Sequence, residues 1–280
     1  MTTSEVFNFT EMPIVDNGME RYEEHEYEPI SGTNLNGPGE IRINIEQQDL
    51  FTLPSKAYLL FEGQFVKADG TAYANTDSVT LTNNDNTSTA VLTDNQGFAI
   101  RQAYIIQKPT TKGTFSFCVP LSHIFGFCDD YDKVIYGLKH TTTLTRQSDN
   151  NAIFRLAAVA AGVVNLNEIS LFMPNLIPAD TEKFKLHGEI EKKVTIPVSF
   201  QMRQFDTTTV PQSTSFNWQL CVKTSPENTR YIIVGFQTSR TVDQTANASI
   251  FDHCDLKIMY IMLNNNERCP AVDYNLSFPN

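Results

Sequence analysis

The chain has 280 residues, 41% hydrophobic and 19% charged, a balance that suits one large or two modest globular domains and excludes a disordered polymer. Lys plus Arg is 21 and Asp plus Glu is 32, so the net charge is −11; such a chain repels a phosphate backbone, which argues against direct nucleic-acid coating. The five cysteines, Cys118, Cys128, Cys221, Cys254 and Cys269, make no CxxC, and an odd number without tight spacing argues against a disulfide framework.

The opening "MTTSEVFNFTEMP" has neither the basic nor the apolar region of a secretory signal. No apolar run approaches the roughly 18 residues of a membrane span. The N-x-S/T matches at Asn8, Asn86, Asn247 and Asn275 are therefore read as chance, and synthesis in the cytosol with reduced thiols is expected. Residues 1–40 read as an N-terminal arm. "MERYEEHEYEP" crowds glutamates with no apolar stripe, and "SGTNLNGPGE" is a loop composition. The arm is either a solvated terminus or a segment that orders on a neighbouring subunit.

From Ile41 the period becomes two. "IRINIE" alternates Ile41, Ile43 and Ile45 against Arg42, Asn44 and Glu46, a strand with one wet face. "AYLLFEGQFV" aligns Ala57, Leu59, Phe61 and Phe65; "SVTLT" is a short strand; "GTFSFCV" sets Phe115, Phe117 and Val119 inward. "KVIYGLKHTTTLTR" (133–146) reads as one long β-run, with Val134, Tyr136, Leu138, His140, Thr142 and Leu144 on one side. "AIFRLAAVAAG" (152–162) is the best helical candidate, ended by Gly162, and "VVNLNEISLFMP" returns to strand. "KKVTIPVSFQM" puts Val194, Ile196, Val198, Phe200 and Met202 on one face, with Pro197 opposite as at an edge or bulge. "TSFNWQLCVK" directs Phe216, Trp218, Leu220 and Val222 inward, which predicts Trp218 buried against 194–202. "RYIIVGFQ" and "LKIMYIML" are apolar on both faces, as in strands covered on both sides. Many short strands and scarce helix predict an all-β fold, a sandwich or barrel.

Two clusters invite chemistry. Asp252, His253, Cys254 and Asp255 are consecutive, with Cys269 beyond a loop. Neighbours on a strand point to opposite faces, so His253 and Cys254 do not converge in an extended chain, and no zinc-type spacing completes the set. The preferred reading is a polar corner feeding the strand "LKIMYIML", with no metal held. "HIFGFCDDYDK" gathers His123, Cys128, Asp129, Asp130 and Asp132, yet lacks the glycine and distal Glu of a calcium loop. Cys128 there reads as a small buried hydrophobe. Paired carboxylates for sugar hydrolysis need acids on inward faces, and these faces carry Phe, Ile, Leu and Val; Glu62 falls opposite Phe61, toward solvent. No catalytic, cofactor-binding or metal-ligating residue is assigned, no cofactor is expected, and the chain is read as not an enzyme.

The ordered set "FSFCVPLSHIFGFCDDYDKVIYGLKHTTTLTRQSDNNAIFR" then "EISLFMPNLIPADTEK" resembles the first jelly roll of double jelly-roll major capsid proteins. The likeness is to the Polinton, adintovirus and virophage-like group of DNA viruses, closest to capsid-like open reading frames of invertebrate genomes. It rests on Pro120-Leu121 after an apolar strand, an acidic turn, a strand pair ending Leu144-Thr145-Arg146, and a strand leading to Met173-Pro174. "VPQSTSFNWQLCVKTSPENTRYIIVGFQTSRTVDQTANASIFDHCDLKIMYIMLNNNERCPAVDYNLSFP" is similar to the opening half of the second roll, through Arg230 to Gln237, Asn247 to Asp252, Leu263-Asn264 and Cys269-Pro270.

The resemblance implies two jelly rolls in tandem, a first roll at 41–185 and a second at 186–280. A full double roll has about sixteen strands, so the second is expected to be shortened. It further implies a capsomer subunit: homotrimers of pseudo-hexagonal outline in an icosahedral shell, contacting neighbouring capsomers and penton or minor capsid proteins. The virion is the implied location, with synthesis in the host cytoplasm, no membrane span and no direct nucleic-acid contact. The rival readings are a jelly-roll carbohydrate- or protein-binding module, a jelly-roll enzyme, and a domesticated capsid-derived host protein.

Overall fold

The structure, a computed structural model, describes residues 18–73, 79–81, 113–193, 195–220, 229–238, 243–248, 250–263, 267–270, 272 and 276–277. The chain divides into two compact units, each drawn from three stretches: Met1–Glu62, Ser116–Arg146 and Leu166–Phe205 in the first; Gly63–Phe115, Gln147–Asn165 and Asp206–Asn280 in the second.

The first unit is a two-layer arrangement. Strand β2 (Glu40–Ile45) buries Ile41, Ile43 and Ile45 and exposes Glu40 and Arg42, as the alternation predicts. It pairs antiparallel with β8 (His140–Thr145), Ile43 opposite Thr142 and Ile45 opposite His140. The three isoleucines join one core cluster with Ala57, Leu59, Leu121, Cys128, Ile169, Leu171 and Met173. Leu59 comes from β4 (Tyr58–Lys67), and Ile169, Leu171 and Met173 come from β10 (Gly162–Pro178). These two strands belong to the larger sheet, whose order is β6 (Thr114–Pro120), β4, β10, β3 (Phe51–Thr52), β7 (Ile135–Tyr136). Burial of a large aliphatic side chain is worth ~1.5–3 kcal/mol, so this cluster is the main driving force of the unit.

Part of the span read as an arm is strand. Residues Met19–Tyr27 form β1, antiparallel to β10, with Tyr27 opposite Leu171, His25 opposite Met173 and Glu23 opposite Asn175. Its half-buried residues are Glu23, His25 and Tyr27, so the inward set is mostly polar and escapes a search for apolar alternation. The glutamates between them face out, and such charges discourage unwanted pairing at a sheet margin.

The long run at 133–146 is two strands. Gly137 has φ +77°, where a side chain is strained, and its N–H donates to the Gln48 carbonyl at 3.1 Å. Before it, β7 pairs with β3, Tyr136 opposite Phe51; after it, β8 pairs with β2. The connected strands β2–β3 and β7–β8 thus stay partnered while both pass from the small sheet to the large one. The break also reverses the faces: Ile135 is buried and Leu138 exposed, opposite to the expectation.

The expected helix at 152–162 is replaced. Only Asp149–Ala152 (α3) is helical, with Ser148 Oγ accepting from the Asn150 N–H; upstream lie α1 (Leu121–Ile124) and α2 (Gly126–Asp130). Ile153–Arg155 forms β9, antiparallel to β5 (Val79–Leu81) in the second unit. Carbonyls that a helix would use are taken by side chains, Val159 by Arg155 Nη1 at 2.6 Å and Ala160 by Tyr73 Oη at 2.9 Å. A short alanine run does not overcome the nucleation penalty against such partners. Helix α4 (Asp180–Glu191) was not expected. Its signals are Pro178 upstream and Asp180 and Glu182 in the first turn, where the helix dipole favours acids.

Segments 195–220 and 229–238 hold no strand among the described residues, apart from one bridge, Phe236 to Asp252. Ile196, Val198, Phe200 and Met202 are all exposed, and Trp218 is half-buried, contrary to its predicted burial on that face. The alternation there is real in the sequence, but nothing described in the chain pairs with it. Near the C-terminus β11 (Ile261–Leu263) and β12 (Glu267–Cys269) make a short antiparallel pair. No helix among the described residues is long and apolar enough to cross a membrane.

The isoleucine row sets a stability test. Ile43→Ala should lower the unfolding free energy by about 2–5 kcal/mol, whereas Arg42→Ala on the wet face should change it little, both read from urea denaturation followed by circular dichroism.

Candidate functional site

The run Asp252-His253-Cys254-Asp255 is a corner. The Asp252 N–H donates to the Phe236 carbonyl at 2.8 Å, and its carboxylate accepts from the Thr238 N–H at 2.9 Å. Cys254 and Asp255 take φ +49° and +48°, which reverses the chain, and the Leu256 N–H closes the turn on the His253 carbonyl at 3.0 Å. His253 Nδ1 accepts from the Asp255 N–H at 3.0 Å, so the imidazole is used to hold the turn. Cys269 sits in β12 opposite Ile261 and is exposed. The predicted strand after the corner is limited to Ile261–Leu263.

The second cluster is a docking point for the chain itself. Asp130 Oδ2 accepts from the Gln201 N–H at 2.7 Å, and Arg203 Nη1 donates to the His123 carbonyl at 3.2 Å. Phe127 stacks on Tyr131 at 5.4 Å and meets Phe200 edge-on at 5.4 Å. Gly126 permits the contact: a Cβ there would lie 1.9 Å from the Gln201 carbonyl oxygen. Asp130, one of the acids that invited a calcium reading, thus binds the backbone of the segment that follows α4. Cys128 is buried, and burial pushes its thiol up to about 11. Among the described residues no three His, Cys, Asp or Glu side chains are grouped to hold a metal ion.

A polar layer that the sequence did not flag lies at the end of the first unit's core. Thr52 is buried and stands opposite both Asn175 and Ile135. Its hydroxyl donates to the Ile135 carbonyl at 3.3 Å and lies 3.0 Å from His140 Nε2. Asn175 is buried beside it, on the face of Leu171 and Met173, with no group among the described residues bonding its amide. Burial lowers the His140 pKa, favouring the neutral ring. Register alone unites these residues, which come from four strands. No spacing in the sequence announces that.

On the outside of β3 and β7, Phe51 and Tyr136 stack at 4.5 Å, and His187 of α4 meets Tyr136 at 5.4 Å with perpendicular rings. That contact seats a helix with no buried residue, and Phe184 on α4 stays exposed. In the second unit Gln244 grips one backbone residue, donating to the Gly162 carbonyl and accepting from its N–H, both at 2.7 Å. Asn247 is buried, which disfavours the sugar acceptor role its N-x-S pattern suggests; Asn8, Asn86 and Asn275 lie outside the described residues.

None of these groups pairs a nucleophile with a base beside a cleft. What they do is hold strands, turns and extended segments in place. A family model for the double jelly roll-like domain matches residues 56–280, most of the chain. The chain belongs to that family. No curated protein and no solved structure matches it. The all-β expectation, with jelly rolls in tandem, therefore holds, and the mostly β-sheet architecture with few helices agrees with it. Membership also supports the capsid-type superfamily to which the sequence resemblance pointed, and double jelly rolls of that type are structural as a rule.

Two measurements test these assignments. For His140 the folded form binds fewer protons than the unfolded chain just below the ordinary histidine pKa of about 6.5, so stability should fall as pH drops through that value. His140→Gln should flatten the slope of melting temperature between pH 7.5 and 5.5. For the thiols, iodoacetamide at pH 8 with peptide mapping should label Cys118, Cys254 and Cys269 in the native protein and Cys128 only after denaturation, because its thiolate is scarce and shielded.

Proposed function

We propose that this chain is a major capsid protein subunit whose double jelly roll builds an icosahedral shell from homotrimers of pseudo-hexagonal outline. The observation that carries the reading is the apolar surface of the C-terminal third. Phe205 is 89% exposed, Tyr231 83% and Ile233 94%, and the alternating Ile196, Val198, Phe200 and Met202 are open as well. Alternating exposed apolar side chains along one segment, Ile196, Val198 and Met202, support a protein–protein contact there. Large apolar faces are the mark of obligate association.

Extended segments with one apolar face and no ladder also fit a second roll, 186–280, that completes its packing against copies of the chain. The sandwich core at 41–185 supplies the rigid wall. The partners are neighbouring capsomers and penton or minor capsid proteins, and the location is the virion after synthesis in the host cytoplasm. The −11 charge supports leaving the genome to other proteins. The sequence motifs favour the Polinton, adintovirus and virophage-like group. The clusters at 123–132 and 252–255 bind the chain's own backbone, which favours a structural role over catalysis.

Light scattering with negative-stain imaging tests the reading. The expected mass is three times 31.6 kDa, or a closed shell. Ile233→Asp should shift the population to monomer while leaving Cys128 protected from alkylation. A wild-type monomer at micromolar concentration would refute the proposal.

A further inference from the structure

The outward face of β1, β10 and β4 combines rings and carboxylates without a base. Register puts Glu26 of β1 beside Phe172 of β10, Glu24 beside Pro174, and Tyr22 beside Leu176. Tyr58 of β4 stacks on Phe172, with centroids 5.0 Å apart and planes 10° from parallel, and its hydroxyl donates to Glu24 Oε2 at 3.2 Å. Tyr22 is 44% exposed and Glu24 and Glu26 are exposed. On the side of β10 and β4 away from the core, Ser170 and Pro174 are buried, Phe172, Leu176, Tyr58, Leu60 and Glu62 are partly exposed, and positions 168, 170, 172, 174, 176, 58, 60 and 62 hold no Lys or Arg. All of these residues lie in the first unit.

We propose that this sheet face docks an arginine-bearing, extended segment of a basic partner protein. Three features fix that chemistry. A guanidinium gains by stacking on a tyrosine or phenylalanine face and by forked hydrogen bonds to a carboxylate, and here both are adjacent. The planar arginine fork exploits both at once, whereas a lysine ammonium is a compact, strongly hydrated point charge. Glu24 and Glu26 are alternate residues of one strand, about 7 Å apart, the spacing of alternate side chains in an extended peptide. The segment recognised is therefore of the form Arg-x-Arg.

The same face of a second copy is the wrong occupant, since it would set Glu24 and Glu26 against carboxylates of like sign. The electrostatics of the rings agree with the geometry. Burial, and then the Glu24 carboxylate, push the Tyr58 and Tyr22 hydroxyls up, so both rings stay neutral beside the glutamates. The simpler account is that the glutamates only keep a marginal strand from mispairing. That account gives no role to the stacked rings and no preference for arginine. The proposal stands independently of shell formation, because it concerns one face of the first unit.

The test uses the full-length protein and dye-labelled peptides of alternating Arg and Ser, Lys and Ser, or Glu and Ser, followed by fluorescence anisotropy at low and high salt. The arginine peptide should bind tightest, weakening with salt, and the glutamate peptide should not bind. E24Q/E26Q should raise its Kd about ten-fold or more, as the loss of two charge-assisted contacts implies. Tyr22→Ala should raise it several-fold, as the loss of one stacked ring implies. The control E189Q/E191Q removes the same charge from α4 and should change Kd less than about two-fold. Unchanged circular dichroism checks that each variant is folded. Absence of binding to the unaltered chain, equal loss in both double variants, or equal affinity for arginine and lysine peptides would overturn the proposal.

Discussion

The row of isoleucines on β2, set against Leu59 of β4 and Ile169, Leu171 and Met173 of β10, is the contact on which the first unit depends. Each branched side chain stands on a period-two position, so one short strand presents a dense apolar face while its other face stays wet. A one-residue slip would turn every isoleucine to water, so burial specifies register as well as stability. The remaining elements are placed by that register: β8 follows β2, β1 follows β10, and the polar layer of Thr52, His140 and Asn175 closes the end of the core.

Small, directional contacts then locate what hydrophobic burial leaves undetermined. His187 seats α4 on the Phe51–Tyr136 stack, Asp130 and Gly126 admit the backbone at Gln201, and Gln244 clasps Gly162. Each is a local polar or aromatic fit made by residue types that suggest chemistry when seen in a list. Their partners show that they organise the polypeptide. That pattern agrees with membership of the double jelly roll-like family.

The fold was legible where alternation was apolar and local. Ile41 to Ile45, Leu59 to Phe65, Phe115 and the strand through Met173 read directly as half-buried strands. It was illegible where the deciding contact came from elsewhere in the chain. β1 carries Glu23, His25 and Tyr27 inward, a set that looks solvated until Asn175, Met173 and Leu171 are placed opposite. Gly137 sits in a run of strand formers, and only its hydrogen bond to Gln48 reveals a corner. The alanine run after Arg155 favours a helix by propensity, but Arg155 and Tyr73 claim its carbonyls. Of the candidate sites, the turn at Asp252 to Asp255 was anticipated from sequence, and the Thr52–His140 layer was not, because cross-strand neighbours leave no linear trace.

The paired crossing of β2–β3 and β7–β8 has a mechanical meaning for the two-layer unit. Two chain segments, paired in a ladder on either side of the bend, pass from one layer into the other and are joined at the bend by the Gly137 to Gln48 bond. Sliding of one layer over its neighbour therefore meets covalent backbone under tension in addition to greasy side chains that glide. A sandwich stitched in this way resists shear along that end, and at the other end Asn36 bridges Arg146, just past β8, to the Leu166 backbone of β10.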